Sequence, residues 1–453
     1  MHRSIYIANL GCAKNQVDAE TLMELLTYQG WTVVPDAQEA DTIFVNSCGF
    51  IEEAKAESID TVLDFCDRFP DAAVILGGCL AQRYPTELES ELPEARAIVG
   101  NRDLYALSRR LASLADGEAR LFVPPARKGG SGAGGPAAAG APEEQILRRG
   151  TLLSMPGSAY VKIAEGCDKG CTFCAIPAIR GEHRSRPVDS IFREVTELFD
   201  RGIVEVTLVA QDLGDFGSDS GETLEALLHR LGPLNPDRWI RLLYLYPESI
   251  SDELLGIINE YPGILPYFDI PFQHADSGVL GRMGRGSSGE EAIKTVERIR
   301  GAVPDAVLRS SLMVGFPGEG EKEFARLEAF VRKAQIDWLG IFEFSPEDGT
   351  VAAGLNKGDA RVSKTLRGQR RRALENIQIE IATRRLKRLV GTRQRVLIEE
   401  PFAEEPLALG RAYAHAPEVD GAVVVHGAPA PAGSFQNCRI TGLAGLDLQA
   451  VPE

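Results

Sequence analysis

The chain has no excess of basic residues. Its 49 Lys and Arg stand against 65 Asp and Glu, a formal net charge of −16, so the broad positive footprint of a protein that grips nucleic acid by its phosphates is missing. It also has no apolar run of bilayer length and no leader-like start, since Ser4 to Gly11 already reads as a strand. The expectation is a cytoplasmic protein with no membrane partner. Cysteine is scarce, with eight in 453 residues, too few for a disulfide scaffold, and its distribution is uneven.

Six of those cysteines form two groups of three. Cys167, Cys171 and Cys174 make a tight C-x3-C-x2-C, whereas Cys12, Cys48 and Cys79 are widely spaced. Zinc sites usually pair one C-x2-C with another or with histidines, and neither lies near the tight triad. Iron–sulfur ligation fits better. Four cysteines normally saturate a four-iron cluster; three leave one iron open, and an open position distinguishes a catalytic metal from a structural one. The tight triad follows a strand-like run, Tyr160 to Ala164, and Gly166 and Gly170 are expected to let the chain curl so that the sulfurs converge.

The wide triad is read from position. Cys12 follows the run Ser4 to Gly11, Cys48 follows Thr42 to Ser47 and Cys79 follows Ala73 to Gly78, with helix-like stretches at Asp18 to Gln29 and Glu52 to Phe65 between them. That pattern predicts βαβαβ with a parallel sheet. Ligand sites on such sheets lie at the carboxyl ends of the strands, where all three thiols would gather. Cysteine is also a common small core residue, and on pattern alone that alternative stays open. Cys66 and Cys438 belong to neither triad and read as ordinary thiols.

The run Cys167-Asp168-Lys169-Gly170-Cys171-Thr172-Phe173-Cys174 resembles the cluster loop of radical S-adenosylmethionine (SAM) enzymes. The resemblance implies that the open iron binds SAM and that an electron from the cluster cleaves it to a 5'-deoxyadenosyl radical, a reagent for hydrogen abstraction from carbon. The segments Leu10-Gly11-Cys12-Ala13-Lys14-Asn15, Asn46-Ser47-Cys48-Gly49-Phe50 and Gly78-Cys79-Leu80-Ala81-Gln82-Arg83 resemble the amino-terminal domain of the methylthiotransferase family. There the three cysteines hold an auxiliary cluster that takes part in sulfur delivery. The implied cofactors are therefore two [4Fe-4S] clusters and SAM, one cluster making a radical and the other supplying sulfur to the carbon radical that results.

A chain of 453 residues is too long for one ordinary core, and an α/β multidomain fold is expected. The division reads 1–123 for the amino-terminal parallel α/β domain with the auxiliary cluster and 124–150 for a flexible linker. Residues 151–385 read as a radical SAM domain built on a partial (β/α)6 barrel, and 386–453 as a small antiparallel β-barrel. Between Pro124 and Pro142, 16 of 19 residues are Gly, Ala or Pro, a composition that buries too little to fold. Barrel strands are expected at Tyr160–Ala164, Glu205–Ala210, Trp239–Leu245, Pro266–Ile270, Val307–Val314 and Trp338–Phe344.

Strand ends carry the chemistry in such barrels, which makes Gln211, Asp212, Gly315, Phe316, Pro317, Gly318 and Glu319 candidates for SAM contact and His274 a further candidate. Each has a plainer reading: Asp212 as a helix cap, 315–319 as a turn before a helix, His274 as a hydrogen-bonded structural histidine. The loop Gln211-Asp212-Leu213-Gly214-Asp215-Phe216 departs from relatives, which often carry threonines after the Asp.

Ser363 to Val390 is a long helical pattern carrying Arg367, Arg370, Arg371, Arg372, Arg384, Arg385 and Arg388, and it reads as a solvated face. Four short strands beyond it, Arg395–Glu399, Ala408–Tyr413, Ala422–His426 and Phe435–Gly442, resemble a TRAM domain. TRAM domains often bind RNA, yet residues 391–453 hold four Arg, no Lys and eight acidic residues, which suits a basic protein partner better. Cys12-Ala13-Lys14-Asn15, Tyr244-Leu245-Tyr246-Pro247 and Pro271-Phe272-Gln273-His274 resemble the family branch that methylthiolates the β-carbon of an aspartate in a small-subunit ribosomal protein. An external electron donor and a sulfur source are implied with it. The alternative is a tRNA adenosine methylthiotransferase of the MiaB branch, which usually carries Cys-Gln-Met-Asn where this chain has Cys-Ala-Lys-Asn.

Overall fold

The computed structural model describes residues 3–124 and 148–453; apart from Pro124 and 148–150, the expected linker lies outside the described residues. The chain divides into two compact units. The first comprises Met1–Leu153, Ala164–Asp168 and Cys174–Arg184, and the second comprises the rest.

The first unit is built on a six-stranded parallel sheet: β1 (Ser4–Asn9), β2 (Thr32–Val33), β3 (Thr42–Ser47), β4 (Ala73–Gly78), β5 (Ala97–Val99) and β6 (Leu121–Phe122), in the order β2-β1-β3-β4-β5-β6. The cysteines mark its three central neighbours; β2, β5 and β6 are additions the sequence pattern did not announce. Every residue of β3 and β4 is buried, as expected of parallel strands covered on both faces. Helix α1 (Ala13–Tyr28) seals one face with Leu22, Met23 and Leu26, while α2 (Glu52–Arg68) sends Val62 into the other.

The second unit holds six parallel strands in chain order. Ser158–Lys162, Glu205–Val209 and Trp239–Leu242 form one run, and Tyr267–Asp269, Val307–Val314 and Trp338–Glu343 form the next. A single bridge, Ile240 to Ile264, joins the two runs, so the strands make a partial barrel. Five further strands close a small barrel: Arg393–Pro401, Leu407–Arg411, Val423–His426, Asp447–Pro452 and Phe435–Ala444. The last strand in sequence, Asp447–Pro452, adds to the four expected from the sequence.

The small barrel covers the amino-terminal ends of the large barrel's strands through buried charge. Glu205, first residue of its strand, accepts from Arg241 Nε at 2.7 Å and Arg411 Nη2 at 2.5 Å. Arg411 Nε also reaches Glu399 at 2.7 Å, and its Nη2 donates to Ser158 Oγ at 2.9 Å. Burial alone would raise the Glu205 carboxyl, but the two guanidiniums hold it down at about 2. Glu205→Gln leaves the buried Arg241 cation uncompensated and Arg411 with Glu399 alone, and we expect a loss of about 3–5 kcal/mol in chemical denaturation; a loss below about 1 kcal/mol would contradict this account of the junction.

His415 is fully buried beside the same arginines. Burial, then the charges of Arg241 and Arg411, push its imidazole down to about 3. The folded protein keeps it neutral, while the unfolded chain protonates it near the ordinary value of about 6.5. Below that value the unfolded state binds the extra proton, so stability falls as pH falls, by up to about 1.4 kcal/mol per unit. Wild type should therefore lose stability faster than His415→Asn between about pH 6.5 and 4, and parallel denaturation curves would refute the assignment.

The arginine-rich helix, Lys364–Leu386, corrects the solvated-face reading. Arg370 is buried against Glu319 at 2.8 Å, and Arg385 and Arg388 reach Asp337 at 2.6 and 3.1 Å. Only Arg371, Arg372, Arg384 and Arg388 are exposed. With acidic partners 48 and 51 residues away in sequence, the packed face had no local signature.

Candidate functional site

Because β1, β3 and β4 are neighbours, Cys12, Cys48 and Cys79 stand side by side at the sheet's carboxyl edge. Cys12 is the N-cap of α1, Cys48 directly follows β3 and Cys79 opens a short helix, α3 (Cys79–Arg83). Gly78 before it has φ +96°, and a Cβ there would meet Ser47 backbone at 2.6 Å, so no other residue fits.

A polar net fixes the strand ends. Asn46 Nδ2 donates to Asn9 Oδ1 at 2.9 Å and to Asn15 O at 2.8 Å, while Asn15 Nδ2 donates to Ser47 O at 2.9 Å. Asn101 Nδ2 lies 3.4 Å from Cys79 Sγ, and Arg180 Nη2 lies 3.3 Å from the same sulfur. Cys12 is solvent-accessible although set deep among protein atoms. Burial raises its thiol, but Lys14, Arg180 and backbone donors outweigh that and leave it below the ordinary value. Cys48 is pushed up to about 11, mainly by burial, with Cys79 and Cys12 adding to the rise.

In the tight triad, Gly166 has φ +77°, and a Cβ there would meet Glu182 O at 2.0 Å; its glycine is obligatory. Gly170 corrects the expectation, because its φ is not positive and a Cβ there meets nothing within 4 Å. The Cys167 N–H donates to Gly181 O at 3.2 Å, and Cys174 Sγ accepts from the Ile176 N–H at 3.4 Å. Cys171 Sγ lies 3.6 Å from the Tyr246 hydroxyl.

Lys169, inside the triad, reaches Asp215 at 3.0 Å and Asp212 at 3.3 Å, with its ammonium 5.1 Å from the Tyr246 ring centroid. Asp212 thus binds the cluster loop, and its Oδ1 caps Gly214 N–H at 2.9 Å in a turn rather than starting a helix. Lys169 and Tyr246 lie inside motifs already quoted, but neither was singled out as a site residue; their signal was position, one within the triad and one at a strand end.

The remaining candidates sit at the other strand ends with their side chains already engaged. Glu319 accepts from Gly315 N–H at 2.8 Å and from Arg370, and lies 3.4 Å from His274 Nε2. His274 Nδ1 accepts from Asp276 N–H at 3.0 Å, which places its proton on Nε2, toward Glu319. Phe316 is fully buried, edge-on to Phe344. Pro317 O accepts from Arg282 at 3.1 Å, and Gly315 and Gly318 have φ +75° and +79°. Gln211 is half-buried. Tyr244 and Gln273 hold φ +67° and +66°, an uncommon conformation for residues with side chains that clusters at functional sites.

Three family models match the chain: Uncharacterized protein family UPF0004 over residues 4–100, Radical SAM superfamily over 161–331 and TRAM domain over 390–452. The ribosomal protein uS12 methylthiotransferase RimO of Trichlorobacter lovleyi is 40% identical over 459 aligned positions, spanning 99% of this chain and 98% of that protein. The RimO of Aquifex aeolicus is 39% identical, spanning 98% and 96%. The chain belongs to the RimO family. Its radical SAM domain brings SAM and a [4Fe-4S] cluster with it as family cofactors. Among solved structures, the radical SAM methyltransferase TsrM of Kitasatospora setae aligns with TM-score 0.54 at 16% identity, over 76% of this chain and 72% of that one. The cobalamin-dependent enzyme OxsB aligns at 0.51 and 14%, over 83% and 56%. Both speak to the fold alone.

The donor set of this RimO-family chain fits iron–sulfur ligation. All eight cysteines are free thiols. Among the described residues no group of three His, Cys, Asp or Glu side chains is set to hold a metal ion. No helix among the described residues is long and apolar enough to cross a membrane.

Proposed function

We propose that this chain methylthiolates the β-carbon of an aspartate in the ribosomal protein uS12, replacing C–H with C–S–CH3. Cysteine placement carries the reading: one triad on the strand ends of an α/β sheet and a second in the loop entering a radical SAM barrel. Similarity to RimO proteins over nearly the whole chain supports the substrate, as does a net charge of −16 facing a basic partner. The reaction belongs in the cytoplasm, with an external electron donor and sulfur source. The domain division 1–123, 124–150, 151–385 and 386–453 is proposed with it.

Cys167, Cys171 and Cys174 would hold one [4Fe-4S] cluster, and Cys12, Cys48 and Cys79 a second. When bound, the first supplies the electron that cleaves SAM and the second an open iron for sulfur. The protein's part is placement. Lys169 clamps the cluster loop to Asp212 and Asp215, and Tyr246 stands against Cys171. Gln211, Gly315, Pro317 and Gly318 offer the SAM-facing rim, while Asp212, His274, Phe316 and Glu319 hold that rim in shape.

Product counting tests the scheme. Each modified aspartate should be matched by one 5'-deoxyadenosine from the radical step and one S-adenosylhomocysteine from methyl transfer. Modified protein without 5'-deoxyadenosine would contradict it.

A further inference from the structure

Arg180 is the last residue of the Ile176–Arg180 helix, which begins two residues after Cys174, and this part of the tight-triad segment belongs to the first compact unit. Its side chain is only 3% exposed. Nη1 pairs with Asp18 at 2.5 Å and Glu165 at 3.2 Å, and Nη2 donates to Asn15 Oδ1 and lies 3.3 Å from Cys79 Sγ. Cys79 packs on Ala175, which caps that helix, and on Ile179 within it, and Arg102 holds the carbonyls of Ala178 and Ile179. The cation is therefore fixed from several directions, and one of its donors points at a sulfur.

A second donor converges on that sulfur. Asn101 Nδ2 lies 3.4 Å from Cys79 Sγ, and Asn101 Oδ1 is buried with no partner. An amide that forgoes a partner for its oxygen while spending its N–H on a weak thiol acceptor is poorly used. The arrangement makes sense for a thiolate, which gains from charge-assisted donors.

We propose that Arg180 and Asn101 are positioning residues of the amino-terminal centre, whose paired N–H···S donors on Cys79 set the reduction potential of its cluster. Through Glu165, two residues before Cys167, Arg180 ties that setting to the loop that binds the other cluster. The inference rests on the two-cluster reading above. Donors to a ligating sulfur, like nearby positive charge, favour the more negative, reduced state. Their removal lowers the potential.

The test uses the full chain with Cys167, Cys171 and Cys174 all replaced by alanine, so that only the amino-terminal cluster is read. Its potential is followed by electron paramagnetic resonance during redox titration. Asn101→Ala and Arg180→Gln should each make reduction about tenfold less favourable, a fall of about 59 mV for one electron, with iron content held. Arg180→Lys, which keeps the charge and loses the fork, should fall less than Arg180→Gln. Arg149→Lys, at the buried Glu20–Arg149 pair of the same unit, controls for general loosening and should leave the potential in place.

Asn101→Ala breaks no ion pair, so it decides the matter even where Arg180→Gln fails to fold. An unchanged potential in Asn101→Ala, or an equal fall in Arg149→Lys, would overturn the proposal. A parent chain that binds no iron would instead remove the two-cluster reading beneath it.

Discussion

Replacing Cys171 with alanine is expected to abolish SAM cleavage and to halve the iron bound per chain. The three-thiol loop has no spare ligand: among the described residues no other cysteine lies between Cys79 and Cys438 outside the triad. Losing one of three anchors should leave the cluster unable to hold its geometry, and the reductive step has no route without it. The fold should survive. Cys171 is half-buried, outside the apolar group that Cys79 forms with Ala175 and Ile179, and its close polar neighbour is the Tyr246 hydroxyl at 3.6 Å. Anaerobic assay of 5'-deoxyadenosine is the direct measurement. Cleavage at the wild-type rate would remove the tight triad from the mechanism.

Cys48→Ala should do the opposite: it spares cleavage of SAM and stops sulfur insertion. Cys48 follows the central strand β3, its N–H 3.3 Å from Ser58 Oγ, and the substitution leaves that backbone contact intact. What it removes is one of three thiolates at the sheet's carboxyl edge. The expected readout is sustained 5'-deoxyadenosine with no methylthio product, and bound iron falling by half. Product formed at the wild-type level would mean that the wide triad is a packing feature, the alternative that strand-end placement left open.

The pair of variants separates the two triads because the sequence separates them so clearly. Each spacing is legible in the sequence: the tight triad as a motif, the wide one as cysteines after three successive apolar runs. Those runs become adjacent strands, and adjacency is what converts wide spacing into one site. The six strands of the partial barrel were equally readable, because buried parallel strands announce themselves as apolar runs, although the first runs Ser158–Lys162 rather than Tyr160–Ala164 and the third stops at Leu242 rather than Leu245.

Long-range polar pairing was not readable. Glu205 and Arg411 are 206 residues apart, and Arg180 meets Asp18 across 162; a charge carries no local mark of its partner. The arginine helix failed for the same reason, its composition suiting solvent while its partners Glu319 and Asp337 lay in the loops on either side of the Glu321–Ala334 helix. Asp447–Pro452 was missed because Asp447 and Gln449 break up its apolar run. His274 and Glu319 were expected at the site from their positions at strand ends, whereas their contact with each other across 45 residues of sequence has no local mark.

The central claim is tested most directly by mass spectrometry of two matched anaerobic reactions containing SAM, sulfide and a reductant, one supplied with uS12 and one with tRNA. The account predicts a methylthio mass gain on a single uS12 aspartate and none on tRNA. A gain confined to tRNA would contradict it.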